Sequence, residues 1–284
     1  MKKVLILASA PTTVRESQLN KGYVLRSYHD MHIELDPEHR VLDVKSQKVP
    51  VTTFDLVYFR TSVNDRSIAL PLAVCIDMLN VPVIDSALLA TLSTTKSYQY
   101  AAFYKNNLPF PHTFIAYTDR LRKIEPLLRK KLQYPFIIKA VGGRKGEDNF
   151  LIKDKAHFFE VTSRYEPEIL FIAQKNIPND FDYRILTIGY KAGIVYKRIR
   201  DKGSDTHLNN VSQGGSREIV DPKTVSHLIK LAAKASSILK REVCGVDVVV
   251  DKETGKPYIL EANAAPQINY PPALKAVRDY LESK

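Results

Sequence analysis

Two apolar runs joined by a short polar loop near the carboxyl end constrain this chain more than any other feature. Gly245-Val246-Asp247-Val248-Val249-Val250-Asp251 and Pro257-Tyr258-Ile259-Leu260-Glu261-Ala262-Asn263 read as strands, and Lys252-Glu253-Thr254-Gly255-Lys256 has the length and glycine of a hairpin loop. A loop symmetric about Thr254 sets Asp247 opposite Glu261, and directly facing residues have Cβ atoms about 4.5–5.5 Å apart. Period-two alternation puts Asn263 on the face of Glu261. Facing carboxylates repel unless a cation lies between them, and a hard cation such as Mg²⁺ takes a few carboxylate oxygens together with phosphates. The expectation is a metal site on a hairpin. The competing reading is a solvated hairpin whose acids pair with lysines, and a shifted register would separate the acids.

Phosphate-binding features lie upstream. Tyr134-Pro135-Phe136-Ile137-Ile138-Lys139-Ala140 is a buried strand ending in a cation, and it runs into a basic loop with Gly142, Gly143, Lys145 and Gly146. Glycines let backbone N–H groups approach phosphate oxygens, and Lys139 at the strand end suits an α- or β-phosphate. Neither G-x-x-x-x-G-K-[ST] nor G-x-G-x-x-G occurs, which excludes the P-loop and the Rossmann fingerprint as written. Taken alone, the loop reads equally well as a surface turn. Further on, Asp182 and Arg184 open a strand, followed by Tyr196-Lys197-Arg198-Ile199-Arg200 and by Asn209-Asn210-Val211-Ser212-Gln213-Gly214-Gly215. Alternation separates Lys197 from Arg198 and Arg200, so only one cationic set faces a shared cleft. The fork of Arg184 suits a γ-phosphate or acyl-phosphate, with Asp182 orienting it; a sheet-surface ion pair is the other meaning.

Bulk properties set limits. The 284 residues are 44% hydrophobic, which suits one multi-lobed globular unit or two to three small domains, with ample material for a core. Lysine and arginine outnumber the acids 42 to 31, a formal charge of +11 that favours anionic partners. Nucleic acid is not favoured among them, because no recognised binding motif is present. Cys75 and Cys244 are the only cysteines, so a disulfide framework is not expected, and a reducing cytoplasm is. The run Val4-Leu5-Ile6-Leu7-Ala8-Ser9-Ala10 reads as a first strand rather than a leader, and no apolar segment is long enough to span a bilayer. Strands are expected at Val4 to Ser9, Phe54 to Arg60 and Val81 to Asp85, with a helix from Ser67 to Asn80, giving an alternating α/β amino-terminal region. Helices at Thr94 to Asn106, Leu121 to Leu132 and Pro222 to Leu239, with strands at Phe136 to Lys139, Leu170 to Gln174, Tyr183 to Ile188 and Gly193 to Ile199, complete the expectation.

In this order the pieces resemble the ATP-grasp superfamily, and within it the RimK-like carboxylate-amine ligases, the group of the ribosomal-protein glutamate ligase. The resemblance covers roughly Ser86 to Asn269: Lys96, Lys139 before the glycine loop, an interlobe hinge at Gln174 to Ile177, Asp182-x-Arg184, Asn210 before Gly214-Gly215, and Gly245-Val246-Asp247 with Glu261-x-Asn263. It implies an α/β and α+β architecture: an N-terminal Rossmann-like domain over 1–90, a central lobe with the glycine loop over 91–175, and a C-terminal lobe with the metal site over 176–284. ATP would lie between the lobes on Lys96, Lys139, Gly142, Gly143, Lys145, Gly146, Gln174, Lys175, Ile177 and Asp182. Two Mg²⁺ ions, with Mn²⁺ as an alternative, would sit on Asp247, Glu261 and Asn263. Arg184, Asn210 and Lys197 would serve catalysis. The chain departs from relatives at Asp148 and Asn149 after the loop, at Lys175 in the hinge, and at Gln267 after Pro266.

The implied chemistry is attack of a substrate carboxylate on the γ-phosphate of ATP, giving an acyl phosphate that an amine opens to an amide. Such phosphoryl transfer needs positioning and charge neutralisation rather than a protein nucleophile. The implied partners are a carboxylate and an amine, with an acidic peptide, protein or small molecule as acceptor; self-association stays open. Arg60, at the carboxyl end of an α/β strand, and His207 are the candidate substrate contacts, with a plain surface arginine as the alternative for Arg60. A small-molecule kinase on the same fold, or a nucleotide- or nucleic-acid-binding protein without ligase activity, are the rival readings.

Overall fold

A computed structural model describes residues 2–9, 20–62, 65–90, 92, 95–141, 148–199, 216–268 and 270–284. The chain opens with strands β1 (Val4–Ala8) and β2 (Tyr23–Ser27). A small antiparallel meander follows, of β3 (Met31–Asp36), β4 (Val41–Ser46) and β5 (Val49–Pro50). Strand β6 (Leu56–Arg60), helix α1 (Arg66–Met78) and strand β7 (Val83–Ile84) complete this part. The parallel sheet runs β2-β1-β6-β7. Strands β1 and β6 are buried throughout, as continuous apolar runs covered on both faces must be. The meander was not expected from the sequence. Its Met31 and Val44 pack on Ala69, Leu72 and Ile76 of α1, which gives that helix its cover.

Helix α2 (Lys96–Lys105) starts where the Thr95 side chain accepts a hydrogen bond from the Tyr98 amide. Strand β8 (Thr113–Tyr117) leads to α3 (Thr118–Lys123) and α4 (Glu125–Leu132). The helix expected as one piece over Leu121 to Leu132 is therefore two. The break falls at Ile124, and Pro126 stands in the first turn of α4, the position where a missing N–H is harmless. Strands β9 (Phe136–Ala140) and β10 (Asn149–Ile152), helix α5 (Lys155–Ser163) and strand β11 (Leu170–Lys175) follow. The resulting antiparallel sheet has the order β10-β9-β11-β8. One face, with Phe136, Ile138, Phe171 and Ala173, packs on Leu121, Leu128 and Phe158 of the three helices; Ile137, Lys139 and Gln174 alternate onto the other.

The chain then passes directly into β12 (Phe181–Ile188), β13 (Lys191–Ile199) and β14 (Ser216–Val220). Helix α6 (Ser226–Ile238), strands β15 (Val243–Val250) and β16 (Pro257–Asn263), and helix α7 (Pro271–Glu282) finish the fold. This sheet is antiparallel in the order β14-β13-β12-β15-β16. One face buries Ile185, Val195, Val246 and Val248 against Leu228, Ala232 and Ala235 of α6 and against Tyr100 and Phe103 of α2. The other face is divided. Leu186 and Val243 pack with α7 and with Val4 and Ile6 of β1, and the remaining positions form the candidate site. Cys75 and Cys244 are free and buried. Among the described residues no helix is long and apolar enough to cross a membrane.

The β12–β13 turn docks α7. Gly189 and Tyr190 have φ of 57° and 64°, the left-handed pair that a two-residue hairpin of primed type requires. A Cβ at Gly189 would lie 2.7 Å from a ring carbon of Tyr280. Gly189→Ala is therefore expected to destabilise the chain by about 1–3 kcal/mol through the left-handed backbone and overpacking, read from the urea midpoint at unchanged slope.

Candidate active site

Strand β15 pairs with β16 so that Asp247 faces Glu261 and Gly245 faces Asn263. The route to this pairing differs from a hairpin symmetric about one residue. Next to the loop, Val250 faces Pro257, Val249 faces Tyr258 and Val248 faces Ile259; the register then shifts by one, leaving Leu260 without a partner. Such a bulge re-aims the side chains beyond it. Glu261 and Asn263 thereby join Asp247 on the face opposite α6, while Ala262 turns into the core with Val246 and Val248.

Asp247 is 7% exposed and lies under two guanidinium groups. Arg184 Nε stands 2.5 Å from its Oδ1, and Arg184 Nη2 donates to Oδ2 at 3.1 Å. Arg198 Nη2 is 3.2 Å from Oδ2. Arg198 also makes a fork to Asp182, with Nε to Oδ1 at 2.6 Å and Nη2 to Oδ2 at 2.9 Å. Burial works against the charge of Arg198, but Asp247 and Asp182 outweigh it and hold its pKa above the ordinary value. The Asp247 Oδ1 contact with Arg184 is close but poorly directed, and that buried oxygen has no hydrogen-bond partner. Glu261 Oε2 lies 3.6 Å from Lys96 Nζ, and Asn263 Nδ2 donates to the Gly245 carbonyl at 3.3 Å, leaving its amide oxygen as the available ligand.

These donors fit a hard divalent cation. An unsatisfied carboxylate oxygen on Asp247, a facing carboxylate on Glu261 and the amide of Asn263 are all oxygen ligands. Among the described residues no group of three His, Cys, Asp or Glu is arranged to hold a metal, so the set depends on the amide.

Lys139 reaches toward the same region from β9. It is 8% exposed, and its Nζ donates to Tyr100 Oη at 2.7 Å and to Gln174 Oε1 at 3.0 Å. Burial lowers its pKa to about 8, against the pull of Glu261 and Asp247. Gln174 is fixed in turn by donating to Thr113 Oγ1 at 2.8 Å. At the expected hinge, the Lys175 amide bonds the His112 carbonyl at 2.9 Å, and the buried Ile177 offers its carbonyl to Asn179.

Two expected contacts take other positions. Of the cationic sets on β13, Arg198 joins the carboxylates, whereas Lys197 Nζ lies 4.0 Å from the ring centroid of Phe181. Arg60 is 3% exposed and donates from Nη2 to the Pro266 carbonyl at 2.8 Å, pinning the segment after β16. Gly142, Gly143, Lys145, Gly146, His207 and Asn210 lie outside the described residues. Tyr100 had not been singled out; its i, i+4 relation to Lys96 was the available signal.

Known proteins share this fold. Over almost the whole of both chains the structure resembles a RimK domain ATP-grasp protein from Sphaerobacter thermophilus, with 98% of each covered, a TM-score of 0.68 and 16% identity. It also resembles the ATP-grasp ligase PsnB complexed with minimal precursor, with 99% of each covered, a TM-score of 0.69 and 16% identity. At these identities the likeness is one of fold. Among curated proteins, the chain is 28% identical over 135 residues to mouse (Mus musculus) beta-citrylglutamate synthase B, covering 47% of this chain and 34% of that protein. It is 26% identical over 163 residues to human (Homo sapiens) N-acetylaspartylglutamate synthase A, covering 56% of this chain and 40% of that protein. The match thus spans well under half the length of either relative. The profile of the RimK-like ATP-grasp domain matches residues 93–273, a stretch that contains the β15–β16 hairpin, Lys96, Lys139 and both guanidinium groups, and the chain belongs to that family.

Proposed function

We propose that this chain is an ATP- and Mg²⁺-dependent carboxylate-amine ligase that forms an amide through an acyl phosphate. The observation that carries the reading is the facing pair Asp247 and Glu261, with Lys96 and Lys139 converging on it from separate elements. Family membership supports the reaction class. The names of both curated relatives contain glutamate as the joined unit, which supports a carboxylate-bearing amino acid as the amine. The formal charge of +11 favours acidic substrates in general. Units at 1–90, 91–175 and 176–284 belong to this reading, with the direct β11–β12 link as the hinge.

Asp247, Glu261 and Asn263 would hold Mg²⁺, which when bound neutralises phosphate charge and orients the triphosphate. Lys139 and Lys96 bind phosphate oxygens. The acid's carboxylate oxygen attacks the γ-phosphorus, the bond to the β,γ-bridging oxygen breaks, and ADP leaves with the electron pair. Arg184, held by Asp247 but retaining further N–H donors, stabilises the transferring group. The amine nitrogen then attacks the acyl carbon, orthophosphate leaves, and the nitrogen's proton is released. Asp182 keeps Arg198 in place beneath this site through its two-point contact.

Three outcomes are expected. Asp247→Asn and Glu261→Gln each lower Mg²⁺-dependent ATP turnover by more than about a hundredfold, beyond what losing a partner behind a metal ligand does, while both variants still unfold in a single cooperative transition, Asp247→Asn at a lower temperature because it leaves buried guanidinium charge uncompensated; turnover surviving in both refutes the assignment. Lys139 carries its charge below its pKa of about 8 and loses it above. ATP affinity is therefore full near pH 7 and falls toward pH 9.5 by up to about tenfold per pH unit; the slope flattens in Lys139→Met, as calorimetric titration at several pH values would show. A screen of acid and amine pairs should release orthophosphate and ADP only when both partners are present. Phosphate retained on a single acceptor would instead identify a kinase.

A further inference from the structure

Helix α2 presents Lys96, Gln99 and Tyr100, an i, i+3, i+4 set on one side. Each meets a different one of three successive residues of β16. Tyr100 Oη donates to the Leu260 carbonyl at 2.6 Å, Lys96 Nζ lies 3.6 Å from Glu261 Oε2, and Gln99 Oε1 accepts from the Ala262 amide at 2.8 Å. Strand β16 lies at the edge of its sheet, where outward main-chain groups need partners from outside the sheet; the Ile259 amide finds one in the Pro109 carbonyl at 2.9 Å. At the bulge that need is greatest, because Leu260 faces no residue of β15. Tyr100 supplies the partner its carbonyl lacks.

The same hydroxyl has a second contact. It accepts from Lys139 Nζ at 2.7 Å, and since a phenol carries one hydrogen, donating to Leu260 leaves a lone pair for the lysine. Tyr100 is 2% exposed, wedged against Phe103 and Phe110. A directed chain therefore runs from Lys139, which also donates to Gln174 Oε1, through one buried oxygen to the residue before Glu261.

We propose that Tyr100 is a positioning residue whose hydroxyl locks the bulged register of β16 and ties the placement of Lys139 to it, so that the nucleotide end and the cation end of the site are set together. The tie to nucleotide rests on the ligase reading, through what Lys139 binds; the register lock does not.

Tyr100→Phe removes only the oxygen and keeps the ring. Amide hydrogen exchange is followed in the full chain without nucleotide, and AMP-PNP affinity is measured separately, with Phe103→Leu as the control for mere loosening of the helix. The expected result for Tyr100→Phe is exchange at least about fivefold faster in residues 257–263 with the β12–β13 strands unchanged, and AMP-PNP binding about tenfold weaker, the size expected for a hydrogen bond to a charged group. Phe103→Leu should lower the unfolding temperature and reproduce neither effect. Unchanged exchange in β16 overturns the register lock. An affinity loss no greater than that of Phe103→Leu overturns the tie to Lys139. A parent chain that binds no AMP-PNP overturns that tie together with the ligase reading, while the exchange measurement still decides the lock.

Discussion

One unpaired residue, Leu260, decides which face of the C-terminal sheet carries Glu261. Without the shift between Val248 and Asp247 the pairing seen next to the loop would continue, Asp247 would face Leu260, and Glu261 would point with Val246 into the core under α6. A carboxylate in that core would be an isolated buried charge, which is strongly unfavourable. The bulge therefore does more than bend a strand. It converts an apolar hairpin into one with two carboxylates and an amide on a single surface, and every polar contact of the site is arranged around that surface.

The second constraint is charge. Arg184, Arg198, Lys96 and Lys139 surround Asp182, Asp247 and Glu261, so cations exceed carboxylates before any ligand arrives. Buried ion pairs offset their desolvation only when geometry is good. The Arg198–Asp182 fork meets that condition at both points, whereas between Arg184 and Asp247 only the Nη2 to Oδ2 bond is well directed. The weaker pair is the one whose members have a second use, since Asp247 is a metal ligand and Arg184 a phosphate contact in the proposed reaction. Gly245 belongs to the same arrangement. A Cβ there would stand 2.6 Å from Arg184 Nη1 and 2.9 Å from Pro266 Cβ, and Pro266 is itself held through its carbonyl by Arg60 of β6. Through Arg60, strand β6 thus fixes one of the two groups that leave no room for a side chain at position 245.

Much of this was legible in the sequence, for identifiable reasons. Long apolar runs bounded by turns located the strands of the hairpin, of β9 and of β11. The facing of Asp247 and Glu261 followed from loop length, although the structure reaches it through an asymmetric loop corrected by a bulge. Alternation along β13 showed that Lys197 and Arg198 face opposite ways but could not say which face was the cleft; that was settled by the buried carboxylates of β12 and β15, which are distant in sequence. The meander of β3 to β5 carried a signal of its own, since Met31-His32-Ile33-Glu34-Leu35-Asp36 alternates apolar and polar residues as a half-buried strand does, but the expectation of an alternating α/β region left no place for an antiparallel insert. Tyr100 escaped because an aromatic residue in a helix reads as core, and it is core apart from its oxygen.

The placement of that oxygen also shows how α2 joins the two antiparallel sheets. Tyr100 and Phe103 of α2 are packed in the core formed by α6 and the C-terminal sheet, which Ile172 of the central sheet also enters. Lys96 is therefore tied to Glu261 by helix packing as well as by charge. Lys139 extends from β9, whose neighbours Ile138 and Ala140 belong to the other core. The contact between Lys139 and Tyr100 thus lies where the second face of the central sheet meets the core of the C-terminal sheet, which also takes in Ile172, the β11 partner of Lys139. In the proposed reaction a triphosphate would bridge Lys139 on one side and the Asp247–Glu261 pair on the other, joining the two antiparallel sheets a second time.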